Sequence, residues 1–155
     1  MKRNYLIIPS VTILTALLGG WATSGGLEGW YSGLRLPSWT PPGTTIGIVW
    51  TILYILATIS ALIIFNKRTE KKMRKKIIMS FFAVNAMLNV TWSLLFFNLH
   101  LIDMAVYEAA MLGLSVVIIS ALCWQISRAA SLLLVPYAAW VAFATYLTYI
   151  VSSLN

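Results

Sequence analysis

Five apolar runs, about Tyr5 to Ala22, Thr45 to Phe65, Ile77 to Phe97, Ile102 to Gln125 and Ser131 to Val151, are set apart by short polar or charged segments. Each is long enough for the ~17–25 residues that carry an α-helix through hydrocarbon. This constrains the fold more than any motif does, because a backbone in lipid must satisfy its own hydrogen bonds within each spanning segment. Composition agrees: 60% of residues are hydrophobic and 10% charged, against ~45–50% and ~25% in soluble domains. The runs use nearly all of the 155 residues. The expectation is a single all-α integral membrane domain, a bundle of five transmembrane helices with a structured loop over residues 25–43. Lys2 and Arg3 ahead of the first run, with Ala22-Thr23-Ser24 after it, imitate a signal peptide, but the run exceeds the usual ~7–15-residue core and reads as the first helix.

A net charge of +7 invites a nucleic-acid reading, and its distribution argues against one. Ten basic residues fall on the side of the N-terminus: Lys2, Arg3, seven between Lys67 and Lys76, and Arg128. Arg35 is the only one on the other side. The positive-inside rule then puts the N-terminus in the cytoplasm and the first loop and C-terminus outside, in the cell membrane. The run from Lys67 to Lys76 is a topology determinant lying against anionic headgroups, with no aromatics interleaved as in single-strand binders. No nucleic-acid partner is expected. Cys123 and His100 are each single, so no internal disulfide and no metal site of conventional ligand number is expected from them.

Polar groups inside the spans need a partner or a purpose. Asn85, Asn89, Trp92 and Phe96 recur at four, three and four residues and share one face of the third helix. Two compatible readings stand, interhelical hydrogen bonding and ligand contact. Trp50 and Tyr54 lie one turn apart on the second helix, above Ala57 and Ala61; on the fifth, Pro136, Trp140, Phe143 and Leu147 recur with Ala144 beside them, and Pro136 is expected to kink the helix. Taken alone such stripes are more often packing than a ligand wall. Depth favours a site: at 1.5 Å per residue Trp50 and Trp92 sit about 8 Å inside their helix ends and Trp140 near the midplane, too deep for an interfacial belt. Glu108, about a turn and a half into the fourth helix, reads as neutral, paired, or reaching a wet vestibule or the interface. Asp103 is a helix-start charge. Small residues at Ala105, Ala109 and Gly113, and at Ala16 and Gly20, suit close helix approach and a homodimer.

Above the three tryptophans runs a stiffened loop, Leu36-Pro37-Ser38-Trp39-Thr40-Pro41-Pro42-Gly43, in which three prolines fix φ and Thr44 or Thr45 is expected to cap the next helix. This segment, with Trp30-Tyr31, Trp50-Thr51-x-x-Tyr54, Asn85-x-x-x-Asn89-x-x-Trp92-Ser93-x-x-Phe96-Phe97 and Pro136-Tyr137-x-x-Trp140-x-x-Phe143-Ala144-x-Tyr146-Leu147, resembles the translocator protein family, also called TspO or the peripheral-type benzodiazepine receptor family. The resemblance covers essentially the full length, in order.

It implies five transmembrane helices, a homodimer, and binding of porphyrin, haem, cholesterol or benzodiazepine-type ligands. The implied tetrapyrrole pocket comprises Tyr31, Trp39, Trp50, Asn85, Asn89, Trp92, Trp140, Phe143 and Ala144, with the loop as its lid. Light-dependent porphyrin breakdown reported in the family implies Trp50 and Trp140 as electron or radical donors. One departure is visible: no basic residue follows Arg128, so the aromatic-then-basic pattern of cholesterol-associated members is missing from the fifth helix. The leading expectation is a tetrapyrrole receptor or sensor. A transporter of amphipathic molecules and a regulatory scaffold stand as alternatives; no inverted repeat of the usual transporter kind is visible.

Overall fold

The structure, a computed structural model, describes residues 3–27 and 29–155. Helix α1 runs Asn4–Leu27, α2 Gly43–Asn66 and α3 Lys72–Ser93, which passes directly into a π-helical turn, Leu94–Asn98. Then come α4 Ile102–Trp124, a short α5 Arg128–Leu132, and α6 Val135–Leu154. A single 3₁₀ turn, Tyr31–Gly33, interrupts the first connection, and no strand occurs among the described residues. Helices α5 and α6 together form one span, Arg128–Leu154, so five helices are long and apolar enough to cross a membrane. With five crossings the chain's ends lie on opposite faces. One face, here the loop face, carries the segment after α1, the turn after α3 and the end of α6. The other, the basic face, carries the start of α1 and the Lys/Arg-rich connection between α2 and α3.

Helix α4 is the centre, packed along both α3 and α6; α1 lies against α3 and α2, and α2 closes the ring lightly against α5 and α6. The main core joins Leu53 and Ile64 of α2, Ile78 of α3, Val116 and Ile119 of α4, and Leu134, Tyr137 and Val141 around α6. A second cluster near the loop face joins Phe96, Phe97, Ala105 and Val151. Outward, Leu17, Ile48, Met87, Met111 and Leu114 are exposed; stripes of this size on every helix suit lipid, where apolar side chains lose nothing by facing out. Buried and half-buried hydroxyls supply the stitches: Ser60 donates to the Ala130 carbonyl at 2.7 Å, Ser131 to the Ser120 carbonyl at 2.7 Å, and Thr12 meets Thr58 at 2.8 Å.

Four details differ from the sequence reading. Helix α1 continues to Leu27, into the segment expected to be loop, because Gly26 lets its backbone press on the π turn: a Cβ there would stand 2.2 Å from the Phe97 carbonyl oxygen. Asn98 donates to the Ala22 carbonyl in the same contact. Neither Thr44 nor Thr45 caps α2; it starts at Gly43 behind Pro42, without a side-chain cap. Pro136 does not kink the fifth span midway. It sits in the first turn of α6, where a missing N–H costs nothing, and the break falls between α5 and α6. Finally, Ala105 and Ala109 are buried inside the chain, and a Cβ on Gly113 would stand 3.3 Å from Val141 Cγ1. That strip serves packing within one copy, so it is not the face for a second one.

Candidate functional site

The third helix supplies the polar centre. Asn85 and Asn89, one turn apart, both point inward and are buried. Tyr54 of α2 donates to Asn89 Oδ1 at 3.3 Å; Asn89 Nδ2 donates to the Tyr137 hydroxyl on α6; that hydroxyl donates to Asn85 Oδ1 at 3.0 Å; and Asn85 Nδ2 donates to Ser115 Oγ on α4 at 2.9 Å. The chain ends where Ser115 donates to the Leu112 carbonyl at 2.7 Å. One continuous run of hydrogen bonds therefore ties α2, α3, α4 and α6 at a single level. Of the two readings of the asparagines, interhelical bonding is what this geometry displays. Trp50 lies against it, its ring 5.7 Å from Tyr54 and 6.0 Å edge-on from Tyr137.

Toward the loop face the remaining aromatics form two groups. On the α3 side Trp92 stacks on Phe96 at 5.2 Å and meets Phe97 edge-on at 5.9 Å, and Tyr31 of the loop rests on Phe97 at 5.6 Å. Burial there pushes the Tyr31 hydroxyl up from its usual pKa. Trp30 adds an edge contact to Phe96 and stacks on His100 at 4.2 Å. The lone histidine is thus a packing partner of the loop; its own φ of 57° makes the turn into α4. On the α6 side Trp140 meets Phe143 at 5.3 Å, and Trp39 of the loop lies 5.9 Å from Phe143 and stacks on Tyr146 at 5.8 Å, with the planes 10° apart. Ala144 is half-buried beside them. The loop thus lies across both groups, Tyr31 on one and Trp39 on the other.

Trp50 and Trp140 do not stack on each other; they connect through Tyr137, which touches Trp50 and precedes Trp140 by one turn. Tyr137 and Ser115 are the two site groups that residue patterns alone did not single out. For Tyr137 a signal existed in its spacing of three from Trp140 with Pro136 before it. Ser115 gave none, being one hydroxyl in an apolar helix. The π turn was also invisible: its extra residue brings both Phe96 and Phe97 inside, where helical periodicity expects one.

Four groups stand out by what they lack: Nη1 of Arg74, near the basic end of α3, and three in the loop half. Nε1 of Trp92, Nε1 of Trp140 and both carboxylate oxygens of Glu108 are buried with no hydrogen-bonding partner among the described residues. Glu108 is 6% exposed, and no hydrogen-bonding partner meets its carboxylate among the described residues. Glu108 and Trp92 lie near one level, with Trp140 about a turn nearer the polar chain. Glu108 is two turns from Ser115 toward the loop face, Trp92 is two turns from Asn85, and Trp140 is one turn from Tyr137. Each such atom in a native interior calls for a physical explanation.

Two open hollows lie elsewhere. One, of about 630 Å³, opens on the basic face between Arg3, Phe65, Lys67, Arg68, Lys72 and their neighbours. The other, of about 330 Å³, is a groove between α1 and α2 lined by Thr12, Ala16, Tyr54 and Thr58.

Together these features define a class: a multi-pass membrane protein of five helices, with an amide-stitched, tryptophan-rich interior beneath an ordered loop. The chain belongs to the TspO/MBR family, whose model matches residues 7–153. It is 35% identical over 129 residues to the uncharacterized membrane protein YtaB of Bacillus subtilis, covering 81% of this chain and 80% of that one. It is 33% identical over 126 residues to the tryptophan-rich protein TspO of Bacillus cereus, covering 81% and 80%. With the translocator protein of Sus scrofa it shares 33% identity over 153 residues, covering 96% and 86%.

Proposed function

We propose that this protein is a membrane receptor or sensor for porphyrin, haem or a similar planar tetrapyrrole, held in the loop half of the bundle among Trp39, Trp50, Trp92, Trp140 and Phe143. The carrying observation is the set of orphaned polar atoms on Trp92, Trp140 and Glu108. A buried donor or acceptor without a partner costs about 1–3 kcal/mol, and a ligand with hydrogen-bonding edges and an apolar face repays that cost where it binds. Two indole N–H donors suit carbonyl or propionate oxygens. The surrounding rings suit a flat polarisable face.

Under this reading the asparagine–tyrosine chain is the floor of the site and the loop its cover, with the basic face in the cytoplasm. Protoporphyrin titrated in darkness into purified protein quenches tryptophan fluorescence with saturation. No saturable quenching in a folded sample rejects the proposal. The same titration under illumination reports any loss of porphyrin, with Trp50 and Trp140 as the donors to test. A homodimer belongs to this reading too, and after the burial of the α4 strip the α1 positions Ala16 and Gly20 are its candidates.

A further inference from the structure

We infer that the basic-face cavity is a binding site for the phosphate headgroup of an anionic glycerophospholipid from the adjoining leaflet. The cavity, about 630 Å³, is lined by five cations, Arg3, Lys67, Arg68, Lys72 and Lys75, against one carboxylate, Glu70. A run of lysines needs no cavity to orient a membrane protein; here the α2–α3 connection folds four cations around one hollow and the start of α1 adds Arg3 to it.

The frame of that hollow is hydrogen-bonded. Asn4 Nδ2 donates to the Phe65 carbonyl and to Asn66 Oδ1, each at 3.4 Å, which ties the start of α1 to the end of α2. Lys75 donates to the carbonyls of Phe65 at 3.2 Å and Lys67 at 2.6 Å, while Lys67 reaches the Ile126 carbonyl at 2.7 Å. These two ammoniums are spent largely on the ends of α2 and α4, where cations also meet the helix dipole favourably. The guanidiniums of Arg3 and Arg68 and the ammonium of Lys72, all exposed, are left to neutralise what enters.

Position selects a lipid over a soluble anion. The cavity lies where α1 and α3 start and α2 ends, and basic pockets between helices at the ends of membrane spans suit anionic headgroups. Directly along α1 from Arg3 and Asn4, Tyr5 and Leu6 are 49% and 57% exposed, an apolar surface for the acyl chains of a lipid whose phosphate is in the cavity.

Native mass spectrometry of the full chain in micelles, titrated with phosphatidylglycerol and separately with phosphatidylcholine, tests this. One saturable phosphatidylglycerol adduct is expected, resisting exchange with phosphatidylcholine. Arg68→Gln with Lys72→Gln weakens it about thirtyfold, at ~1 kcal/mol per cation near a lipid surface, and Arg3→Gln with Arg68→Gln does the same. Lys76→Gln with Arg128→Gln removes equal charge from the same face outside the cavity and leaves binding unchanged. An equal loss in that control pair, or equal binding of the two lipids, overturns the site in favour of a diffuse surface field. Displacement by glycerol 3-phosphate at matched concentration overturns the lipid assignment in favour of a free anion. Porphyrin quenching is independent of every one of these outcomes.

Discussion

Asn155 holds the peptide of Arg35 from both sides, accepting its N–H at Oδ1, 2.9 Å, and donating from Nδ2 to its carbonyl, 3.0 Å, across 120 residues of chain. The loop is thereby fastened to the end of α6 just before the prolines, and Trp39, stacked on Tyr146, fastens it again one segment on. Asn155→Ala removes both bonds. At about 1 kcal/mol for each net bond, and less at an exposed site, the bundle's melting point moves little. The local opening equilibrium of the loop changes more. Amide exchange at Leu34 to Thr40 accelerates about tenfold while exchange in α4 stays put; uniform exchange across both segments would show that the clasp is ornamental.

Tyr137 is the midpoint of the polar chain, receiving from Asn89 and giving to Asn85. Tyr137→Phe keeps the ring that packs on Trp50 and deletes the shared hydroxyl. Interhelical hydrogen bonds in membrane proteins average ~0.6 kcal/mol and reach ~1.7, so a loss of about 1 kcal/mol is expected in reversible unfolding from mixed micelles. Asn85→Ala costs more, since it deprives both Tyr137 and Ser115 of partners. A stabilised Tyr137→Phe protein would place the network's value in ligand binding alone.

How much of this was written in the residues divides along physical lines. The spans were legible because lipid imposes length and apolarity on each one separately, and Trp50, Asn89 and Trp140 were legible because helical spacing puts them on inward faces at depth. What stayed hidden depended on three-dimensional neighbours. Nothing local announces that Gly26 must be small, since its constraint is the Phe97 carbonyl 71 positions away. The π turn was hidden for a similar reason: Leu94 to Asn98 carry no breaker, and the extra residue is stabilised by the packing of Phe96 and Phe97. The lysines read as a topology signal also cap carbonyls of helices that are remote from them in sequence.

Gly26 gives the sharpest packing prediction. Gly26→Ala forces a Cβ to within 2.2 Å of the Phe97 carbonyl oxygen, a backbone atom that cannot swing away. Overpacking typically costs about 1–3 kcal/mol, and the upper end is expected here, seen as a lower melting point and reduced monodisperse yield. Gly47→Ala in α2 is the control, with nothing within 4 Å of the added methyl. Replacing glycine by alanine in an open helix position gains about 1 kcal/mol, so the two substitutions shift the melting point in opposite directions.

The orphaned groups permit a test in which stability and binding part company. Trp140→Phe removes an unpartnered N–H while keeping a ring against Phe143. The ligand-free protein should lose little, because the smaller ring's packing loss is offset by the ~1–3 kcal/mol no longer spent on a buried, unsatisfied donor. Porphyrin affinity should fall about tenfold, the equivalent of ~1.4 kcal/mol. Trp92→Phe behaves alike, and Glu108→Gln, which keeps size and polarity, weakens binding less than Glu108→Leu. If all four leave affinity unchanged, the orphaned atoms do not face the ligand.

Photochemistry is the remaining separation. Trp50 touches Tyr54 and Tyr137, phenols able to return an electron to an oxidised indole, whereas Trp140 touches Phe143, which is too hard to oxidise to do so, and the two indoles lie in no direct stack. If the indoles donate electrons to an excited porphyrin, Trp50→Phe and Trp140→Phe each slow light-dependent porphyrin loss, and the double substitution slows it further. If the bound porphyrin merely sensitises oxygen, the rate follows occupancy and oxygen tension and is indifferent to either substitution. Measuring loss under constant illumination at matched occupancy, with and without oxygen, distinguishes these cases. Equal rates in wild type and the double variant remove both tryptophans from the mechanism, while leaving the dark binding site intact.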